Sequence, residues 1–260
     1  MKVVILCGGE GTRLRDTAEA LPKPMVSIGS RPIVWHIMKY YASFGFKEFI
    51  LCLGYKSEIF VDYFLNYRTH NRDITLSLNN DGPIHFHGDH DENDWKITLA
   101  NTGLTTMTGH RVFQINKYLA NDEDFLLTYG DGLANVDLRK LVSFHKEHNK
   151  LVTMSAVHPS GRFGEMDVSN NQVLQFNEKP QTSVGYINGG YMVMKRDFIK
   201  QYLHDDSNLT LEQEPLIRAA QEGQIMAYCH DDFWQCMDTP REYKLLNQLW
   251  ESGKAPWKKW

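Results

Sequence analysis

The sequence predicts an α/β fold: a doubly wound, mostly parallel mixed sheet followed by a strand-rich C-terminal part. Three patterns carry that expectation. Unbroken apolar runs closed by glycine or turn residues read as strands covered on both faces, as parallel sheets require. Between them lie segments whose apolar residues recur three and four apart, the period of an amphipathic helix. From Leu151 onward strand-like runs crowd together and helical stretches thin out.

The run from Val3 to Cys7 is the first buried strand. A helix follows Pro32, with Val34, Ile37, Met38, Tyr41 and Phe44 on one face and the proline near its first turn. Phe49 to Leu53 is the second buried strand, closed by Gly54. Ser57 is placed to cap a helix whose Ile59, Phe60, Tyr63, Phe64 and Tyr67 form one stripe. Ile74, Leu76 and Leu78 alternate with polar residues, as in a half-exposed strand. The stretch 85–92 gathers His85, His87 and His90 with acids, but Gly82, Pro83 and Gly88 make it an exposed loop or hairpin rather than a zinc site. Phe125 to Tyr129 is a further buried strand, and Asp137 can cap the helix after it. On that helix His145 and His148, beside Lys146 and Glu147, read as solvated. The later strands are Leu151 to Val157, Val173 to Phe176, Ile187 to Met194 and Ile225 to His230. Thr210 with Gln213, and Thr239 with Glu242, match capping-box spacing. After the second box, Leu245, Leu246, Leu249 and Trp250 repeat as a helical face.

Composition narrows the class. With 28 Lys+Arg against 32 Asp+Glu the net charge is −4, and 42% hydrophobic residues fit a globular chain with a sizeable core. Mild acidity argues against a nucleic-acid or anionic-membrane partner. No uncharged apolar stretch approaches the roughly 18 residues of a membrane helix. The N-terminal run is too short for a secretory signal and breaks on glycines. Cys7, Cys52, Cys229 and Cys236 are scattered without C-x-x-C spacing, so reduced, packed thiols and a cytoplasmic location are expected. Length divided by about 150 residues per domain allows one large or two small domains. The lack of linker or repeat favours one spanning 1–260.

Gly8-Gly9-Glu10-Gly11-Thr12-Arg13-Leu14 follows the first strand, where open α/β sheets place their ligands. Glycines there let backbone N–H groups surround phosphate oxygens, and Arg13 adds a planar charged fork. Taken alone, the loop is equally a structural turn. A dinucleotide fingerprint fails, because Leu14 stands where a third glycine belongs and Ile28-Gly29-Ser30 where an acid belongs. The Gly-Lys-Ser/Thr of a P-loop is absent from the chain. Lys23, between Pro22 and Pro24, sits in a segment the prolines hold extended, which suits a lysine that meets a phosphate at a fixed place.

Together, Gly8-Gly9-x-Gly11-Thr12-Arg13-Leu14 and Pro22-Lys23-Pro24-Met25 make the chain resemble the sugar-nucleotidyltransferase (nucleotide-sugar pyrophosphorylase) family. Further matches are Tyr129-Gly130-Asp131-Gly132, Glu178-Lys179-Pro180, Ile187-Asn188-Gly189-Gly190, and Trp234 before Met237-Asp238-Thr239. Thr106-Met107-Thr108-Gly109-His110-Arg111, Gly161-Arg162-Phe163-Gly164 and Glu212-Gln213-Glu214-Pro215-Leu216 look closer to members that join CTP to glucose 1-phosphate. His110 stands where that pattern has glycine, Cys236 where it has proline and Pro240 where it has leucine.

The resemblance implies a Rossmann-like fold with a nucleotide-binding half over about 1–135 and a sugar-binding half with a C-terminal helix over about 136–260. It implies Arg13, Lys23 and Asp131 as catalytic groups and a Mg²⁺ cofactor on Asp131 and Asp238. Leu6, Gly8, Gly9, Glu10, Gly11, Thr12, Arg13, Lys23, Thr106, Arg111 and Gly130 would bind the nucleotide. Glu178, Lys179, Asn188 and Gly189 would bind the sugar phosphate. Without the resemblance, Asp131 is a turn aspartate, Asp238 an acid favoured by a helix N-terminus, and Glu178-Lys179 a common surface pair. The implied partners are CTP, glucose 1-phosphate and further copies of the chain; UTP, dTTP or a different phosphorylated substrate, or a catalytically silent binding module, are the competing readings.

Overall fold

The computed structural model describes residues 1–9, 21–79, 82–159, 165–169, 172–177 and 185–260. Seven strands form the central sheet: β1 (Val3–Leu6), β2 (Glu48–Leu53), β3 (Lys96–Asn101), β4 (Asp124–Tyr129), β5 (Val152–Val157), β6 (Ile187–Lys195) and β7 (Ile225–His230). Their order is β7-β5-β6-β4-β1-β2-β3. β1 pairs in parallel with β2 and β4, β3 with β2, and β7 with β5. β6 runs against both its neighbours, β4 and β5.

Helices α1 (Ile33–Ser43), α2 (Ser57–Leu65), α3 (Tyr67–His70), α4 (Thr108–Gln114), α5 (Leu138–His148), α6 (Arg196–Tyr202), α7 (Glu214–Gln221) and α8 (Pro240–Glu251) cover the sheet. Strand alternation assigns the layers. Val3, Ile5 and Cys7 face a core built with α1, α5 and α8, whereas Val4 and Leu6 face one built with α4, α6 and α7. Val3, Val4 and Ile5 are each 0% exposed, as expected of a strand covered on both sides. The fold class read from the sequence is therefore the one observed. No helix among the described residues is long and apolar enough to cross a membrane.

Asp137 caps α5 as expected, its carboxylate accepting from the Arg139 and Lys140 amides at 3.0 and 3.1 Å. Thr239 and Glu242 close a reciprocal capping box on α8. Four expectations are corrected. Lys56, in the left-handed region at φ 50°, turns the chain into α2, so Ser57 is its first residue rather than its cap. Thr210 does not cap α7, which begins at Glu214 beside Pro215, a residue preorganised for the first helical turn. The strand expected through Leu78 ends at Thr75; its partner His85–His87 pairs no further, and Leu78 is 93% exposed. His145 is fully buried rather than solvated, sharing a face with Leu138 and Leu141. Its Nδ1 meets Thr153 Oγ1 at 2.8 Å, and His148 Nε2 meets the same oxygen at 2.6 Å.

The chain end returns to α1. Trp250, Trp257 and Trp260 gather around buried His36, with the His36 and Trp250 ring centroids 4.5 Å apart. His36 Nε2–H donates to the Ile28 carbonyl at 2.9 Å, and the Trp257 indole N–H donates to Nδ1 at 3.4 Å. A second proton on the ring would set one N–H against another. Burial lowers the His36 pKa from 6.5 to about 4. The unfolded chain therefore binds a proton that the native one refuses. His36's contribution is complete above about pH 6.5 and is lost as pH falls towards 4. Between pH 7 and 4.5 it amounts to about 2–3 kcal/mol. In urea titrations, His36→Gln is expected to lose less stability than wild type over that interval by a comparable amount. Equal losses would contradict the assignment.

Candidate active site

A cleft of about 280 Å³ opens at the carboxyl ends of β1 and β4. Leu6, Gly8, Gly9, Lys23, Thr106, Arg111, Gly130 and Asp131 of the predicted set line it. Glu10, Gly11, Thr12, Arg13, Glu178 and Lys179 lie outside the described residues, as does the Gly161–Gly164 motif. Cys7, Pro24, Met107, Thr108 and Tyr129 also line the cleft without having been assigned a role in it.

The two aspartates are brought together by the backbone. After β4, Gly132–Ala134 pairs antiparallel with Trp234–Cys236, with Gly132 opposite Cys236. The Met237 amide then donates to the Asp131 carbonyl at 2.8 Å, which sets Asp238 beside Asp131. The α8 cap holds the second aspartate in place, because Glu242 Oε2 accepts from the Asp238 amide at 2.7 Å. From the other side comes Lys23. Its segment is extended at Pro22 but closes into a single 3₁₀ turn over Lys23–Met25, so the expectation of a wholly extended stretch is corrected. Burial of Pro24 and Met25 fixes that turn.

Lys23 Nζ donates to Asp131 Oδ2 at 2.9 Å and also to Asp238 Oδ1. Burial works against its charge, but the two carboxylates outweigh burial and the pKa is raised overall. The donor set fits Mg²⁺: two hard carboxylate oxygens converge on a spot that already favours positive charge. Among the described residues no cluster of three or more ligating side chains occurs. Two carboxylates are the sparse protein contribution typical where Mg²⁺ keeps waters and phosphate oxygens.

Arg111 lines the cleft, yet its donors are committed to the chain. Nη1 donates to the Leu53 carbonyl, Thr102 Oγ1 and the Gly103 carbonyl at 3.0, 2.6 and 2.9 Å. Nη2 donates to the carbonyls of Gly8 and Leu104 at 3.2 and 3.4 Å. A Cβ at position 8 would lie 2.3 Å from the Arg111 guanidinium carbon, so glycine is required there by Arg111 itself. The arginine thus shapes this wall of the cleft by tying the backbone at Gly8, at Leu53 and at 103–104 together.

On the far side, Asn188 Nδ2 donates to the Tyr129 hydroxyl at 3.3 Å. Gly189 has a packing reason to lack a side chain, since a Cβ would lie 2.6 Å from Ser155 Oγ at the irregularity in the β5–β6 ladder. Glu212, unassigned by sequence reasoning, accepts from Tyr129 Oη at 2.5 Å and from Thr108 Oγ1 at 2.6 Å. Its motif was visible, but nothing local connects position 212 to position 129.

The three departures from the family pattern have plain places. His110 is buried and meets Asp205 at 2.7 Å. Pro240 starts α8, where a missing N–H costs nothing. Cys236 lies 3.8 Å from Asp238, and burial, with Glu242 and the aspartates adding to it, pushes its thiol up to about 12. It stays neutral beside the carboxylates.

A family model described as nucleotidyl transferase matches residues 2–248. The chain is 46% identical over 260 residues to the glucose-1-phosphate cytidylyltransferase of Salmonella typhi, with all of both chains covered. It is 26% identical to mannose-1-phosphate guanylyltransferase 1 of Arabidopsis thaliana, covering 94% of this chain and 63% of that one. The crystal structure of HddC from Yersinia pseudotuberculosis aligns with a TM-score of 0.68 at 22% identity, over 96% of this chain and 99% of that chain; this likeness bears on the fold alone.

Arg111→Lys tests the structural role of the guanidinium without any ligand present. Lysine cannot fork to these carbonyls, and buried acceptors left unpaired should cost about 2–4 kcal/mol. The thermal midpoint should fall by roughly 5–10 °C. An unchanged midpoint would mean that the arginine is held for ligand alone.

Proposed function

Since this chain belongs to the nucleotidyl transferase family, we propose that it transfers the cytidylyl group of CTP to α-D-glucose 1-phosphate, giving CDP-glucose and pyrophosphate. The choice of substrates rests on the full-length relative. The observation that carries the chemistry is the convergence of Lys23, Asp131 and Asp238 at the carboxyl ends of β1 and β4.

The reaction needs little acid–base machinery. A sugar phosphate has a second pKa near 6, so its oxygen is largely deprotonated at pH 7. That oxygen attacks the α-phosphorus in line, the new P–O bond forms, and the bond to the leaving pyrophosphate breaks. The obstacle is the approach of two polyanions, so positioning and electrostatics carry catalysis. Asp131 and Asp238 would hold Mg²⁺. When bound, the ion offsets charge on the phosphates and on the departing pyrophosphate.

The other roles belong to the chain. Backbone N–H groups of Gly8 and Gly9, continued by Glu10, Gly11, Thr12 and Arg13, cradle the triphosphate in this reading. Lys23 carries a permanent positive charge within reach of the aspartates and meets the α-phosphate. Leu6, Thr106, Arg111 and Gly130 wall the nucleoside. Lys179 anchors the sugar phosphate, while Glu178, Asn188 and Gly189 orient the sugar. The nucleotide half remains about 1–135 and the sugar half about 136–260. A cytoplasmic location suits the four unpaired thiols. Assembly into a homo-oligomer completes the proposal.

Pyrophosphate release with glucose 1-phosphate, measured across CTP, UTP, GTP, ATP and dTTP in Mg²⁺ buffer, tests the reading. CTP should be preferred by at least about tenfold in kcat/KM; equal or better use of another nucleotide would reject it. Asp131→Asn should cut turnover by roughly a thousandfold while circular dichroism and the thermal midpoint stay close to wild type. Unchanged turnover would remove Asp131 from the metal site.

A further inference from the structure

Tyr129 lines the cleft without a role in the proposal above, and the hydrogen bonds of its hydroxyl decide how a neighbouring amide stands. Its ring packs over Gly190, where a Cβ would lie 2.6 Å from Cδ2; Gly190 sits at φ 79°, in the left-handed region that glycine tolerates. The Gly190 amide donates to Asn188 Oδ1 at 2.8 Å. Asn188 Nδ2 donates to Tyr129 Oη at 3.3 Å, and Tyr129 Oη donates to Glu212 Oε1 at 2.5 Å. Glu212 lies just ahead of α7, beside the cleft rather than in its lining. Thr108 Oγ1 donates to its second oxygen at 2.6 Å and accepts from the Leu211 amide at 3.0 Å, which holds the glutamate's segment in place.

Donors and acceptors leave one arrangement. A carboxylate only accepts, so the single phenolic proton goes to Glu212. Burial, reinforced by Glu212, drives the Tyr129 pKa up, so that proton stays on the phenol. Towards Asn188 the phenol oxygen then offers lone pairs alone and requires the NH2 end of the amide. The Gly190 N–H independently requires the oxygen end. Turning the amide over would set Oδ1 against the phenol lone pairs and the NH2 group against the Gly190 N–H, losing two hydrogen bonds. In the orientation observed, one N–H of Nδ2 and one lone pair of Oδ1 have no partner among the described residues. A sugar hydroxyl, which both gives and takes a hydrogen bond, matches such a pair. Phosphate oxygens, which only accept, match half of it.

We propose that Glu212 and Tyr129 are positioning residues for the sugar phosphate, on the reading above that Asn188 meets the sugar. Glu212 takes the phenol proton, the phenol is left to accept from Asn188, and the amide is thereby fixed with its free donor and acceptor in set places. Both residues act through Asn188, so they govern affinity for the sugar substrate and not for the nucleotide.

The test measures KM for glucose 1-phosphate at saturating CTP, and KM for CTP at saturating glucose 1-phosphate, by pyrophosphate release. The proteins are wild type, Tyr129→Phe, Glu212→Ala, Glu212→Gln, Asn188→Ala and the double variant Tyr129→Phe/Asn188→Ala, each with its thermal midpoint. Tyr129→Phe and Glu212→Ala should each raise KM for glucose 1-phosphate by about 5–15-fold and leave KM for CTP within about twofold. Glu212→Gln, which keeps one oxygen to accept the phenol proton, should recover most of that loss. In the Asn188→Ala background Tyr129→Phe should raise KM for the sugar phosphate no further, because the residue it acts through is gone. Effects of the two substitutions that multiply in the double variant would overturn the proposal. So would a Tyr129→Phe enzyme whose two KM values rise together, or whose thermal midpoint falls with no change in either. An unchanged sugar KM in Asn188→Ala would overturn it too, while nucleotidyl transfer stood. Failure of the wild type to join CTP to glucose 1-phosphate would instead reject the proposed function, and this inference with it.

Discussion

Two carboxylates held side by side need a cation, and the rest of the site follows from that requirement. Asp131 and Asp238 are not drawn together by attraction. The short Gly132–Ala134 and Trp234–Cys236 ladder forces them into proximity, and the amide of Met237 on the Asp131 carbonyl completes the constraint. Lys23 answers the resulting negative field by bonding both. In a partly buried cleft such a charge pair is felt more strongly than in water. A third, divalent charge can then be accommodated where phosphates bring negative charge of their own.

The two cations that the described residues place at the cleft divide their work. Arg111 is committed to backbone carbonyls and ties together the chain at Gly8, at Leu53 and at 103–104. Lys23 bonds only side chains, each of which can exchange partners. Structural rigidity and chemical availability are thus placed on different residues. Beside the cleft, Thr108 bonds both the Leu211 amide and the Glu212 carboxylate and so holds the segment ahead of α7.

The sheet and most of its strands were legible because burial on both faces writes itself into composition. Val3 to Cys7 and Phe49 to Leu53 are apolar at every position, and Phe125 to Tyr129 at all but Thr128. β3 escaped notice because it is an edge strand whose Lys96, Thr98 and Asn101 dilute the pattern. Caps were legible where side chain and helix start coincide, as at Asp137 and Thr239, and failed where backbone conformation took precedence, as at Lys56 and Pro215. His145 was misread from its charged neighbours, although its spacing from Leu138 and Leu141 already placed it on the core side. At the site, Lys23 and the two aspartates were readable from motifs. Their mutual bonding and the bridge from Tyr129 to Glu212 depend on residues 83 to 215 positions apart, which no local pattern encodes.

Crystals grown with Mn²⁺ in place of Mg²⁺ and a non-hydrolysable CTP analogue, read by anomalous scattering from the metal, test the central claim most directly. The account predicts a metal peak between the carboxylates of Asp131 and Asp238, with the Lys23 ammonium shifted from them onto a phosphate oxygen. A peak elsewhere in the molecule, with Lys23 still bonded to both aspartates, would contradict it.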